Sequence, residues 1–142
     1  MRSRLAGLHV LVVDDAPYVL AVVTDSLEQD GARVTAVTRA EDALDALRRE
    51  RPHVLLSDLT MPGHDGYWLI AQVRALSPER GGATPAAALT ALATAEDRAS
   101  VLRAGFQVHL EKPVALDALV DVVEALGHLD GTRGVDVAAS GR

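Results

Sequence analysis

The 142-residue chain contains no cysteine. That absence excludes disulfides and thiolate metal sites and says little about compartment, because cytosolic chains can also lack cysteine. An excess of positive charge is missing too: 14 Lys and Arg against 20 Asp and Glu leave a formal net charge of −6. This is the wrong sign for a protein that grips a phosphate backbone, so nucleic acid is not expected as a direct ligand. No run of about 18 apolar residues occurs, so no membrane-spanning helix and no membrane partner are expected. The opening MRSRLAGLHVLVVDD has two arginines and a short apolar stretch, but Asp14 and Asp15 interrupt it before it reaches the length of a signal-peptide core. Low-complexity blocks and repeats of 20 to 50 residues are absent as well. What remains is one ordinary domain, expected in the cytoplasm, large enough to bury ~70% of its unfolded surface without a staple.

Two textures alternate along the chain. Short aliphatic or β-branched runs occur at LHVLVV (8–13), RVTAV (33–37), HVLLS (53–57), AAALT (86–90) and QVHL (107–110). Between them, apolar residues recur at helical spacing: Val19, Leu20, Val23 and Leu27; Ala40, Ala43, Leu44 and Leu47; Leu69, Ile70, Val73 and Leu76; Leu116, Leu119, Val120, Val123 and Leu126. Residues 95–104 form a shorter, more polar helix, Gly31 and Gly105 stop helices, and SPERGGATP (77–85) is a loop of breakers. Five alternations of strand and helix predict an α/β fold. Its parallel strands are joined by right-handed crossovers, with helices on both faces and strands apolar throughout because both faces are covered. The domain is expected over 1–127. The tail HLDGTRGVDVAASGR (128–142) lacks periodicity and is expected to be flexible.

Sheets of this kind bind ligands at the carboxyl ends of their strands, where strand order reverses. The first run ends in Asp14 and Asp15, the third in Asp58, the fourth in Thr90, and the fifth, one residue on, is followed by Lys112. Three carboxylates, a hydroxyl and an ammonium are therefore expected on one edge of the sheet. Clustered carboxylates raise one another's pKa values, and a hard divalent cation relieves that conflict. Oxygen ligands without cysteine or convergent histidine favour Mg²⁺, which is usually held by one or two carboxylates, waters and a phosphate. One carboxylate is then available as a nucleophile, and Asp58 is the best candidate. Thr90 and Lys112 are placed to bind phosphoryl oxygens as charge develops.

VLVVDDAP, DLTMPGHDG (58–66), ALTA (88–91) and HLEKP (109–113), in this order, resemble the signatures of response-regulator receiver domains of two-component signalling. The resemblance covers residues 6–127. It implies a five-stranded parallel sheet of order 2-1-3-4-5, the flavodoxin-like receiver fold. It implies that Asp58 accepts a phosphoryl group from a histidine kinase or histidine phosphotransfer protein, and that Asp14, Asp15, Asp58 and the Thr60 carbonyl hold Mg²⁺. It further implies that Thr90 is the switch hydroxyl, that Lys112 contacts the phosphate, that the Lys112–Pro113 bond is cis, and that the domain signals rather than turning over a substrate. Position 109, where receivers usually carry an aromatic switch residue, is His109, and Ala16 stands where a third acid is frequent.

Blander readings exist for single residues. Asp15 before Ala16 and Pro17 serves equally well as a helix N-cap, Thr90 alone reads as a strand residue, and Lys112 alone as a solvated lysine. Asp58 resists such a reading, because LTMPG after it does not start a helix and Asp65 is better placed to cap the next one. Tyr67 and Trp68 read as packing residues, and His9, His53, His64 and His128 as structural or solvated. An Asp-dependent phosphatase of the haloacid-dehalogenase type would show D-x-D after the first strand and a cap domain. A flavin binder would carry a Ser/Thr/Gly-rich first loop. A degenerate receiver acting only as a binding module would have lost its acids.

The fifteen residues after 127 are too few for an effector. The output is therefore expected to be protein contact by a stand-alone regulator, or by a receiver taken from a hybrid histidine kinase, which RLAGLHVLVVDD and GFQVHLEKPV resemble. On the final helix, expected over 114–126, Ala115, Ala118, Val122 and Ala125 form a second apolar stripe beside the core stripe. That stripe suggests a face for a homodimer mate or downstream target. Finally, Thr60 and Leu92, two after Asp58 and two after Thr90, resemble the family's positions that tune hydrolysis; Leu92 cannot orient a water there, which implies a long-lived phosphoaspartate.

Overall fold

The computed structural model describes residues 3–91 and 94–129. Leu92 and the part of the expected flexible tail from 130 to 142 lie outside the described residues. Five strands, β1 (His9–Val13), β2 (Arg33–Val37), β3 (Val54–Asp58), β4 (Ala86–Thr90) and β5 (Val108–Glu111), form one parallel sheet of order β2-β1-β3-β4-β5. Five helices alternate with them: α1 (Pro17–Gln29), α2 (Ala40–Glu50), α3 (Gly66–Arg74), α4 (Ala95–Ala104) and α5 (Leu116–Gly127). The expected order and alternation are both present.

The strands are apolar throughout because each supplies two cores. Leu11 and Val13 of β1, Leu55 of β3 and Ala86 and Ala88 of β4 face α2, α3 and α4. Val10, Val12, Val54, Leu56, Ala87 and Leu89 face α1 and α5. This period of two leaves no face of the central strands polar. The helices meet them with the stripes read from the sequence: Val23 and Leu27 of α1, Ala40, Ala43 and Leu47 of α2, and Leu69, Ile70 and Val73 of α3 are all buried. Burying the Val, Leu and Ile side chains among them is worth about 1.5–3 kcal/mol each, which anchors the sheet edge on which the acids sit.

Four local differences from the sequence reading have physical causes. First, β3 runs one residue further than expected, so Asp58 is itself the last strand residue, paired with Leu89. Second, α5 begins at Leu116 rather than 114. The cis Lys112–Pro113 bond precedes it, and Ala115 is an extended N-cap at φ −73°, ψ 126°. Third, Leu116 is not a core residue: it opens the first turn of α5 and is 40% exposed. Fourth, Asp15 is not an N-cap. Ala16 is, without a side-chain cap, while Pro17 supplies the first-turn φ. Asp65 caps α3 as expected, accepting the Trp68 N–H at 2.8 Å. Thr94 and Asp97 form a reciprocal capping box at the start of α4.

Candidate functional site

The order of the sheet reverses between β1 and β3, so the chain leaves these two strands in opposite directions and opens a crevice at their carboxyl ends. Asp14 and Asp15 follow β1 and Asp58 ends β3, and one carboxylate oxygen from each lies within 4.8 Å of the others. Asp14 is fully buried, Asp58 is 5% exposed, and Asp15 is open to solvent. Asp14 is fixed by its neighbour: its Oδ1 accepts the Ala16 N–H at 2.9 Å. Asp15 therefore has no capping duty and is left to the cluster.

The opposite charge comes from the last strand. Lys112 Nζ lies 2.9 Å from Asp14 Oδ2 and 3.3 Å from Asp58 Oδ1. Its main chain is held by Thr90, whose carbonyl accepts the Lys112 N–H at 2.8 Å. Thr90 ends β4, 2% exposed, beside β5. The site thus unites Asp14, Asp15, Asp58, Thr90 and Lys112 at adjacent strand ends. Thr60 is exposed on the following loop, its N–H directed at Asp58 Oδ1 at 3.3 Å. His109 lies mid-strand in β5, paired with Ala88. Its neighbours Val108 and Leu110 pack toward α1 and α5, so alternation turns His109 toward α4, where, after the Thr94 hydrogen bonds, it helps hold the Asp97 carboxyl below its ordinary value.

The electrostatics are strained. Burial, reinforced by Asp14, pushes the Asp58 carboxyl up to about 6, against the pull of Lys112 and the Thr60 N–H. Burial works against the Lys112 ammonium, but Asp14 and Asp58 outweigh it and hold its pKa above the ordinary value. One cation faces three carboxylates. The buried Asp14 Oδ2 meets the Lys112 ammonium at 2.9 Å and has no other partner among the described residues. Crowded carboxylates of this kind are relieved by a hard cation, which takes oxygen ligands. The donor set therefore fits Mg²⁺.

Gly66, at the start of α3, was not singled out from the sequence. A Cβ there would collide with the Asp58 carbonyl oxygen and come within 2.9 Å of Leu59 Cα, while the Gly66 N–H donates to Leu59 O at 3.0 Å. The absence of a side chain lets α3 approach the strand end and hold the Asp58 backbone. The available signal was the Asp65-Gly66 pair directly before a helical stripe.

A family model described as the response regulator receiver domain matches residues 10–124. The chain is 45% identical over 122 residues to an uncharacterized 14.6 kDa protein of Leptolyngbya boryana, covering 86% of this chain and 92% of that one. It is 39% identical over 116 residues to Sensor protein GacS of Pseudomonas syringae pv. syringae, covering 81% of this chain but 13% of that protein. Among solved structures it is similar to the receiver domain of a sensor histidine kinase from Pseudomonas aeruginosa PAO1, which has a magnesium ion coordinated in its active site cleft. The TM-score is 0.78 and the identity 33%, with 87% of this chain and 99% of that one covered.

Proposed function

This chain belongs to the response regulator receiver domain family, homologous to the phosphoacceptor domains of response regulators and hybrid kinases, and on that premise we propose that Asp58 is its phosphorylation site. The observation that carries this reading is the position of Asp58: a buried carboxylate at the strand-order reversal, between two further acids and a lysine, with no capping duty. A carboxylate oxygen of Asp58 attacks the phosphorus of a phosphohistidine. The O–P bond forms as the N–P bond breaks, and the electron pair leaves on the imidazole nitrogen, which takes a proton.

Asp14, Asp15, Asp58 and the Thr60 carbonyl would hold Mg²⁺, which when bound neutralises charge on the phosphoryl oxygens. Lys112, held by Thr90 O, supplies a fixed ammonium at the same place, and the Thr90 hydroxyl is the neutral donor for a phosphoryl oxygen. His109, turned toward the α4 capping box, would report the change at Thr90 to that helix.

The phosphodonor is a histidine kinase or a histidine phosphotransfer protein. A largely apolar groove of about 480 Å³, lined by Tyr18, Val22, Lys112, Pro113, Val114 and Leu116, supports access for a helix carrying the phosphohistidine. Output runs through a protein partner, either a homodimer mate or a downstream target, at α5. Val122 there is half-buried against the core, so the second apolar stripe of this helix is narrower than its sequence indicates, with Ala115 and Ala125 exposed and Ala118 half-buried. The stretch of GacS to which the chain is similar supports a second setting, the receiver portion of a hybrid histidine kinase.

The test is intact-mass spectrometry after incubation with Mg²⁺ and a small acyl phosphate. One phosphoryl mass is expected on the wild type and none on Asp58→Asn; undiminished labelling of that variant overturns the assignment. Val122→Asp is expected to weaken phosphorylation-dependent association by light scattering, and unchanged association would remove α5 as the output face.

A further inference from the structure

α1 and α5 cover the same face of the sheet, and a solvent-open groove of about 780 Å³ runs between them. Val22, Leu116 and Val120 give it an apolar side, while Asp25 and Asp30 from α1 and Asp117 from the first turn of α5 supply carboxylates. Asp30 is the C-cap of α1 and is 3% exposed. Its main chain is fully engaged: the N–H donates to Leu27 O at 3.2 Å, and the carbonyl accepts the Leu5 N–H at 2.8 Å. Its side chain is not. Oδ1 is buried with no hydrogen-bond partner among the described residues, so the carboxylate that lines the groove serves no structural bond there.

The neighbouring groups are committed elsewhere. Asp25 Oδ2 accepts from Gln29 Nε2 at 2.7 Å. Arg4, the one cation among the residues lining the groove, donates to Asp121 and Glu124 on α5. The last turn of α1 carries no basic residue, although the carbonyl end of a helix favours cations and disfavours carboxylates. A buried carboxylate in that position is costly until a cation meets it.

We propose that this groove seats an arginine carried on a helix of a protein partner, its guanidinium paired with Asp30 and its aliphatic stem lying on Val22, Leu116 and Val120. A guanidinium matches a carboxylate with a planar fork of donors and is more weakly hydrated than an ammonium, so it enters a buried acidic seat at lower cost. The stem covers apolar surface while the charged head reaches the acids. The groove shares Val22 and Leu116 with the largely apolar groove beside Lys112, so a helix lying along α1 would place apolar side chains in one and an arginine in the other. The proposal rests on reading that neighbouring groove as the seat of a partner helix. A second copy of this chain, with its net charge of −6, is a poor complement to these acids.

Amide chemical-shift titration of the unphosphorylated chain tests this, at low ionic strength and with Mg²⁺ present to occupy the phosphoryl site. Acetylated diarginine amide is expected to give saturable shifts at Gln29, Asp30, Asp117 and Val120, and the neutral dicitrulline analogue none. Asp30→Asn should weaken diarginine binding about tenfold or more, whereas Asp45→Asn, the same change of charge on α2, should leave it within about twofold. Asp117→Asn, on the exposed rim, gives a second reading should Asp30→Asn fail to fold, with an expected loss of about threefold. An amphipathic peptide helix with leucines spaced ahead of its arginines should bind about tenfold more tightly than diarginine, with shifts reaching Val19 and Val114. Equal binding of the citrulline analogue, equal losses in Asp30→Asn and Asp45→Asn, shifts centred on Asp14, Asp15 and Asp58, or no gain from the helical peptide would each overturn the proposal. No reading requires phosphorylation, so the outcome is separate from that of Asp58→Asn labelling.

Discussion

Replacing Asp58 with asparagine should stabilise this domain, and by an amount that depends on pH. The Asp58 carboxyl is raised from the ordinary 3.8 to about 6 by burial and by Asp14. A carboxyl whose folded pKa exceeds its unfolded one binds its proton more tightly in the native state. Its contribution is complete below about 3.8 and is lost as pH rises through about 6, so at neutral pH the ionised group opposes folding. The rise corresponds to about 3 kcal/mol at most. Asp15 at the open mouth is exposed and water screens part of the repulsion, so Asp58→Asn should gain about 1–2 kcal/mol at pH 7.5 in metal-free buffer. Asparagine keeps the shape and an acceptor for Lys112 and removes the charge. Urea denaturation of both proteins with a chelator present, at pH 7.5 and at pH 4, reads the effect: the gain should be present at the higher pH and nearly absent at the lower. A variant that is neutral or destabilised at pH 7.5, or whose gain persists undiminished at pH 4, would refute the claim that charge crowding at Asp58 is the strain in this site.

Mg²⁺ should relieve the same strain. Wild-type stability is expected to rise by about 1.4 kcal/mol at a concentration ten times the dissociation constant, with no rise in Asp14→Asn measured by the same denaturation series. Gly66→Ala should cost about 1–3 kcal/mol, because its methyl group meets the Asp58 carbonyl; a melting temperature unchanged by calorimetry would count against that close approach. The phosphorylated protein should lose its phosphoryl group slowly, over times much longer than seconds, and Leu92→Glu or Leu92→Gln should hasten the loss followed by intact mass.

The strand–helix alternation and the acidic edge were legible because both follow from pattern, whereas the strand order came with the resemblance to receiver domains. Runs such as Val10–Val13 and Val54–Leu56 are apolar on both faces only if helices cover both, and Asp14 and Asp58 then fall at one edge. Element ends were less legible. Asp58 extends β3 because its main chain pairs with Leu89 whatever its side chain is. Leu116 fits the α5 stripe by spacing, yet it is the first residue of the helix and stays exposed, where periodicity carries no depth. Long-range polar partners left no local signal. His9 and His53 are 44 positions apart, and the half-buried Arg74 guanidinium finds the carbonyls of Gly82, Thr84 and Gly105. A main-chain acceptor has no residue type, so only the folded chain displays that arrangement.

The central claim is that Asp58, and no other carboxylate of the cluster, takes the phosphoryl group. Borohydride reduces an aspartyl phosphate to the corresponding alcohol, marking its position in the peptide. After phosphorylation with Mg²⁺ and a small acyl phosphate, followed by reduction and tandem mass spectrometry, the homoserine mark is expected at position 58 alone, and not when Mg²⁺ is chelated. A mark at Asp14 or Asp15, or efficient labelling of the chain with position 58 unmarked, would contradict the account.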